Sequence, residues 1–397
     1  MARPPFLIAL VLLAGCLRWS ETQPLPVSQA TVFDFNQLSK IDEAVGQARA
    51  GGHLPGAVVW IEHRGTAYTK AYGNLSEQPT QALAQGDSIY DVASLTKAVA
   101  TTPALLRLWE QGKLALNDPV VRHLPTFTGD RRDKVTIRQL LTHSSGLRPD
   151  IALAGWNGHD ECLAKCLAET PRHAPGTVFV YSDINFQLLD EIIRRIAGQR
   201  LDTFCQREIF GPLKMTDTGF NPPTSKLPRV APTTREAARW LRGQVHDPRA
   251  RKTSGVAGHA GLFTTAPDLA RFCRMIINGG TLDGVRVFQK NTVAEWTRAQ
   301  NPAQKDAKDR PAQRALGWDI GSVYNSPRGR LFPHGSFGHT GFTGPSMWID
   351  PLSGTFVLFL CNRLHPDGKG NVIQLRKHIG TLAAQSLRHY DFGPLRD

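Results

Sequence analysis

The sequence predicts a mixed α/β (α+β) fold: an antiparallel sheet flanked by helices, with a mostly helical lobe inserted into it. Three observations carry this reading. Two short β-rich segments stand close together near the start, alternating segments fill the last quarter, and amphipathic helical patterns lie between. Strands at both ends can share one sheet only if it is assembled from both termini, which sets the intervening helices beside it and leaves a cleft. At 397 residues, 41% hydrophobic and 20% charged, the chain can bury one large core or two interleaved lobes. It shows no internal repeat and no low-complexity tract, so solenoid and collagen-like folds are excluded.

Taken in order, residues 1–5 carry Arg3, residues 6–13 are continuously apolar, and Leu13-Ala14-Gly15-Cys16 follows. A short positive start, an apolar run too short to span a bilayer, and small residues after it describe a signal peptide over residues 1–15. Leu-Ala-Gly-Cys resembles a bacterial lipobox, which would lipidate Cys16 and tether the protein to a membrane of the cell envelope. An ordinary signal peptide with a chance cysteine is the alternative. Residues 16–34 read as a polar tether, and the expected domain covers 35–390, its helical lobe about 95–250.

Residues 37–50 put Leu38, Ile41, Val45 and Ala48 on one face and stop at Gly51-Gly52, a helix with its end signal. Residues 57–62 and 67–72 flank Arg64-Gly65 and read as a hairpin. Residues 94–111 read as a helix stopped by Gly112, in which Pro103 should bend the axis or shift a turn. Helices are expected over 136–143, 184–197, 202–210, 268–277 and 371–387, and strands over 316–322, 337–340, 346–349 and 355–361. Residues 221–257, rich in Pro, Arg and Thr without a period, read as a long surface excursion.

The net charge of +13 admits an anionic partner, but the basic residues are dispersed and no nucleic-acid module is present, so nucleic acid is not an expected partner. Beyond Cys16 the chain has Cys162, Cys166, Cys205, Cys273 and Cys361, an odd and widely spaced set that makes a poor disulfide framework. Cys162 and Cys166 would share a helix face as small buried residues. His246-Asp247 and His259 lack a close helical ligand pair and read as polar residues of a loop at the cleft, so no metal and no cofactor is expected. His143, beside the turn Ser144-Ser145-Gly146, reads as structural.

Ser94-Leu95-Thr96-Lys97 sets an amine one helical turn from a hydroxyl. With 17 Ser and 14 Lys, chance alone supplies about 0.6 such pairs, so the motif means little by itself. Two further segments give it weight: Tyr181-Ser182-Asp183 before a helix, and His339-Thr340-Gly341 ending a strand. In that order the three segments resemble the motifs of serine β-lactamases and penicillin-binding proteins. The tyrosine in the second is similar to the class C β-lactamase, D,D-peptidase and esterase branch. The likeness runs from about residue 35 to 387 and includes residues 140–147 and Gly258-His259-Ala260-Gly261-Leu262. Residues 243–247 and 361–366 are most like penicillin-binding proteins of the 4B type.

The resemblance implies a serine β-lactamase-like fold and an acyl-enzyme on Ser94, with Lys97 and Tyr181 activating the hydroxyl. It further implies an oxyanion hole from the N–H groups of Ser94 and Phe342, and substrate contacts from Asp183, His339, Thr340, Gly341 and Arg363. Lys97 would lower the pKa of the Tyr181 phenol, which would take the serine proton and return it to the leaving group. Asp183 stands where many relatives carry Asn. A carboxylate only accepts, so a substrate presenting N–H or ammonium is expected there, with helix capping as its other reading. His339 replaces a common Lys, so carboxylate binding should weaken as pH rises, with Arg363 and Lys369 as alternative cations. The expected substrate is a small molecule or peptidoglycan-derived D-amino-acid peptide or β-lactam. A carboxylesterase or acyltransferase of the same fold is the alternative, and an inactive envelope binding protein the non-enzyme one.

Overall fold

Asp34 accepts the Asn36 N–H and caps helix α1 (Phe35–Ala50), whose Leu38, Ile41 and Val45 are buried as their spacing predicts. The computed structural model of the protein describes residues 28–301 and 304–395, so the expected signal peptide, Cys16 and most of the tether lie outside the described residues.

Among the described residues the main sheet has eight antiparallel strands. They are β1 (Gly56–His63), β2 (Thr66–Ser76), β3 (Ala82–Leu83), β4 (Gln313–Arg314), β5 (Asp319–Gly321), β6 (Phe337–Thr340), β7 (Ser346–Asp350) and β8 (Thr355–Cys361). Their spatial order is β4-β5-β6-β7-β8-β1-β2-β3. The N-terminal hairpin therefore joins the C-terminal meander at β1 and β8, in the register Val59↔Phe359, as strands from both ends of the chain require. In β8 the run Thr-Phe-Val-Leu-Phe-Leu-Cys is wholly buried, because successive side chains enter opposite cores. Phe356, Leu358 and Leu360 join the larger core. Val357, Phe359 and Cys361 pack with α1 and helix α5 (Ile373–Gln385).

The larger core gathers helices α2 (Thr102–Glu110), α3 (Asp183–Ala197) and α4 (Ala266–Ile277). Upstream of α2, Lys97–Thr101 forms a widened turn in which the Thr102 N–H reaches the Lys97 carbonyl five residues back. Pro103 has no N–H to donate and its ring crowds the preceding turn, so the widening answers the misfit that the sequence predicts. A small second sheet sets Leu262–Thr264 between Tyr90–Asp91 and Gly219–Phe220, and it delivers the chain to Ser94.

The 221–257 segment corrects the sequence reading. Val230, Val245, Ala250 and Ala257 are buried with Ile89 and Phe263, so this stretch is anchored by a core of its own. Its apolar residues are too few and too irregularly spaced to show a period. The five described cysteines are free and buried, and Cys162 and Cys166 both donate to Gln187 Oε1, at 3.1 and 2.7 Å.

Candidate active site

Ser94 follows a sharp turn at Ala93 (φ 46°) and precedes the helix that begins at Leu95. Asp91 builds that turn. Its carboxylate accepts the Ala93 N–H at 2.8 Å and the His246 N–H at 2.7 Å, and its carbonyl accepts the Thr343 hydroxyl at 2.7 Å. Burial pushes the Asp91 carboxyl up to about 6. One acid thus gathers three distant stretches around the serine, and the sequence reading did not identify it.

Lys97 is fully buried, and its ammonium donates to Ser94 Oγ at 3.0 Å and to the His259 carbonyl at 2.9 Å. Asp183 Oδ1 lies 2.7 Å away as its counter-ion. Burial opposes the lysine's charge, but the Asp183 carboxylate and the Tyr181 phenol outweigh it and hold its pKa above the ordinary lysine value. Lys97 is therefore a cation at neutral pH. The ammonium that Asp183 meets is this one, where the sequence reading expected a substrate's. Nor is Asp183 the helix cap: it is the first residue of α3, after Ser182.

The Tyr181 ring lies 5.0 Å from Lys97 Nζ and stacks on His143, with centroids 4.4 Å apart and planes 26° apart. His143 is buried and accepts the Ser182 N–H on Nδ1 at 3.0 Å. Burial, with Arg314 and Lys97 nearby, holds its pKa well below the ordinary histidine value, so this ring supports the tyrosine as a neutral plate.

Ser94, Tyr181, His339, Thr340, Gly341, Phe342 and Arg363 line one cavity of about 570 Å³. The Gly341 backbone sits so close to Val92 that a Cβ there would lie 2.4 Å from the Val92 carbonyl oxygen. Glycine lets β6 close on the strand leading to Ser94, whereas the sequence reading had it admitting a ligand. Phe342 is 60% exposed, stacked with His246 at 5.7 Å and lying 4.5 Å from the Arg363 guanidinium. Arg363 is partly committed, donating to the Phe342 and Gly370 carbonyls at 2.7 Å each.

His339 departs from expectation. Its Nδ1 faces the Thr340 carbonyl at 2.9 Å, which assigns the proton to that nitrogen. Burial first, then Arg314 and Lys97, hold its pKa well below the ordinary value. A ring that is already neutral has no charge to lose, so the expected weakening of carboxylate binding through His339 as pH rises does not hold.

The cation that sequence reasoning missed is Arg314. It lines the cavity and is 1% exposed, with Asp319, equally buried, 3.3 Å away. Its Nε, Nη1 and Nη2 make no hydrogen bond among the described residues. Nothing in the local sequence distinguishes it from the surrounding charged residues, because burial is set by the sheet.

Behind Lys97, His259 Nε2 pairs with Asp247 Oδ1 at 3.1 Å. Burial disfavours the imidazolium, but Asp247 overcomes it and raises the His259 pKa to about 9. A raised folded-state pKa makes the pair's contribution whole below about pH 6.5 and lost as pH climbs through about 9. Burial likewise raises the thiols of Cys205, Cys273 and Cys361, which adds to the same alkaline loss. Tm should therefore fall from about pH 6.5 to about pH 9, and less steeply in His259→Gln. Equal slopes in calorimetry would contradict a charged His259. Among the described residues no group of three or more His, Cys, Asp or Glu could hold a metal ion.

Residues 41–379 match the family model described as Beta-lactamase. The chain is 31% identical over 375 residues to an Escherichia coli (strain K12) protein described as "Putative D-alanyl-D-alanine carboxypeptidase", a match covering 84% of each. A penicillin-binding protein homologue from Caulobacter crescentus aligns with TM-score 0.70 at 24% identity, over 88% of this chain and 97% of that one. A class C β-lactamase aligns with TM-score 0.71 at 20% identity, over 90% and 98%. At those identities the two structures speak for the fold.

Proposed function

The chain belongs to the beta-lactamase family, hydrolases of the β-lactamase and penicillin-binding protein fold, and on that premise we propose that it is a D,D-carboxypeptidase working through an acyl-enzyme on Ser94. The observation that carries the reading is the Lys97 ammonium, 3.0 Å from Ser94 Oγ and already neutralised by Asp183. A lysine kept protonated cannot accept the serine proton, so the base is the neighbouring Tyr181 in its phenolate form, which that ammonium stabilises and which becomes the phenol on taking the proton. Ser94 Oγ bonds to the scissile carbonyl carbon, the C–N bond breaks, and the proton held by Tyr181 passes to the departing amine. Water then cleaves the Ser94 ester by the same path in reverse. The N–H groups of Ser94 and Phe342 serve the oxyanion.

Arg314 favours a peptide with a free C-terminal carboxylate over a neutral ester. Asp319 at 3.3 Å balances the Arg314 charge but leaves its N–H groups without hydrogen bonds among the described residues, and a carboxylate can fill its planar fork with two of them. Charge-assisted bonds contribute about 1.5–3 kcal/mol, so Arg314→Gln should raise KM for a D-Ala-D-Ala peptide by roughly 10- to 100-fold. The rate on a neutral nitrophenyl ester should change little. Arg314→Lys, which keeps a cation beside Asp319, guards against a folding artefact.

Chromatographic detection of D-alanine released from a D-Ala-D-Ala peptide tests the main reading. Rapid ester hydrolysis with no D-alanine would transfer the protein to the esterase branch. The proposal places the reaction at the cell envelope, supported by the pattern of residues 1–16. Recovery of the enzyme from the cytoplasm on fractionation would remove that part.

A further inference from the structure

We infer that the ion pair between buried His259 and partly exposed Asp247 is a positioning device for Lys97, through which the 221–257 segment controls acylation of Ser94. The inference rests on the reading of Ser94 as nucleophile, and it deepens that reading.

The Lys97 ammonium is held by three oxygens. Ser94 Oγ belongs to its own motif and Asp183 Oδ1 to the tyrosine motif, but the third is the backbone carbonyl of His259, more than 160 residues away. A hydrogen bond of 2.9 Å tolerates errors of only a few tenths of an ångström before it weakens. Residue 259 must therefore be held by something else. Its neighbours are keyed to the Ser94 helix, with the Gly258 carbonyl accepting the Thr101 hydroxyl at 2.6 Å and the Leu262 N–H donating to Thr96 Oγ1 at 3.1 Å. Gly258 packs so tightly that a Cβ would fall 2.0 Å from the Phe186 carbonyl oxygen.

The side chain of His259 reaches Asp247 Oδ1, and that carboxylate is immobilised in turn. It caps the short helix Pro248–Lys252, accepting the Arg249 and Ala250 N–H groups at 2.9 and 2.8 Å. One residue earlier, the His246 N–H binds Asp91, the acid that shapes the turn before Ser94. The 221–257 segment therefore grips the Ser94–Lys97 turn at two points: ahead of the serine through Asp91, and behind the lysine through Asp247 and His259.

An ion pair with one member buried and the other partly exposed is a weak way to gain stability, since the desolvation of the buried charge offsets much of the attraction. The use of a charged pair here is explained by its place: it sets the plane of the residue whose carbonyl receives the catalytic ammonium. A carboxylate orienting an imidazole in this way is familiar at metal and triad sites. Here the imidazole delivers its backbone rather than its ring.

Asp247→Asn tests the proposal, because the amide oxygen can still cap the helix while the charge is gone. The readouts are the second-order rate of Ser94 labelling by a fluorophosphonate, the labelling stoichiometry by intact-mass spectrometry, and Tm. Outer-shell partners of this kind typically contribute 10- to 100-fold, and labelling should slow by roughly that factor at full stoichiometry. His259→Gln should slow it similarly. The double variant should be no slower than the worse single one, as expected of groups acting as a unit. An unchanged rate, independent effects that multiply, or a deficit explained entirely by lost stoichiometry would each overturn the inference. If Asp247→Asn does not fold, Asp247→Glu keeps the charge at a shifted distance and should still label more slowly than wild type. A fluorophosphonate needs no native substrate, so failure of wild type to label sinks the nucleophile reading itself, whereas labelling without D-alanine release leaves this inference standing.

Discussion

Lys97→Met should slow covalent labelling of Ser94 by about 10³- to 10⁴-fold, the range in which a positioned proton-transfer partner and its electrostatic support act together. Methionine matches the buried length of the lysine and removes only the ammonium. That ammonium touches Ser94 Oγ at 3.0 Å and lies 5.0 Å from the Tyr181 ring, so one substitution removes both the donor to the hydroxyl and the cation beside the phenol. The fold should survive with a lower Tm. Asp183 loses its counter-ion, but it is 23% exposed and can recover solvation that Lys97, wholly buried, could not. The measurement is the rate of mass gain with a fluorophosphonate, with Ser94→Ala as the variant that gains none. Labelling within tenfold of wild type would show that the ammonium is a packing feature.

The chemistry of this centre follows from how its charges are divided. Lys97 and Asp183 neutralise each other, as do His259 and Asp247, while His143 and His339 are kept neutral by burial among cations. In the cavity wall Arg314 stands 3.3 Å from Asp319 without hydrogen bonds among the described residues, and Arg363 and Arg376 line the same cavity. A substrate anion meets these arginines and not the lysine paired with Asp183, which keeps the Lys97 ammonium on the serine and the phenol.

Much of this was legible in the sequence because it depends on period and spacing. The β1–β2 hairpin followed from β-forming runs around Arg64-Gly65, and the sheet's assembly from both ends followed from where the strand patterns fell. The three motifs gave Ser94, Lys97 and Tyr181, which the fold does bring to one place. What stayed hidden depends on burial and on pairing across long separations. Asp183 was read toward a substrate because its salt bridge spans 86 residues. His339 was read as a titrating group because a letter does not say that its ring is enclosed beside Arg314. Asp91 takes a backbone N–H from His246 in a distant loop, and Asp247 meets the ring of His259 beyond the helix it caps, pairings that no local pattern announces.

Tyr181→Phe should lower kcat/KM by about 10²- to 10⁴-fold, the usual contribution of a positioned acid–base group, with KM little changed. The substitution separates chemistry from packing unusually well. The ring is held by His143 at 4.4 Å on the 26° stack and by Tyr324 at 5.3 Å, ring contacts that phenylalanine retains. Tm should therefore stay within about 2 °C of wild type. Lys97 stays paired with Asp183, so the residual rate measures what the ammonium and the oxyanion hole achieve without a proton carrier. If Tyr181→Phe kept more than a tenth of wild-type turnover at full labelling stoichiometry, the serine proton would have to leave by another route. The group hydrogen-bonded to Ser94 Oγ is Lys97, which Asp183 holds in the form least able to take it.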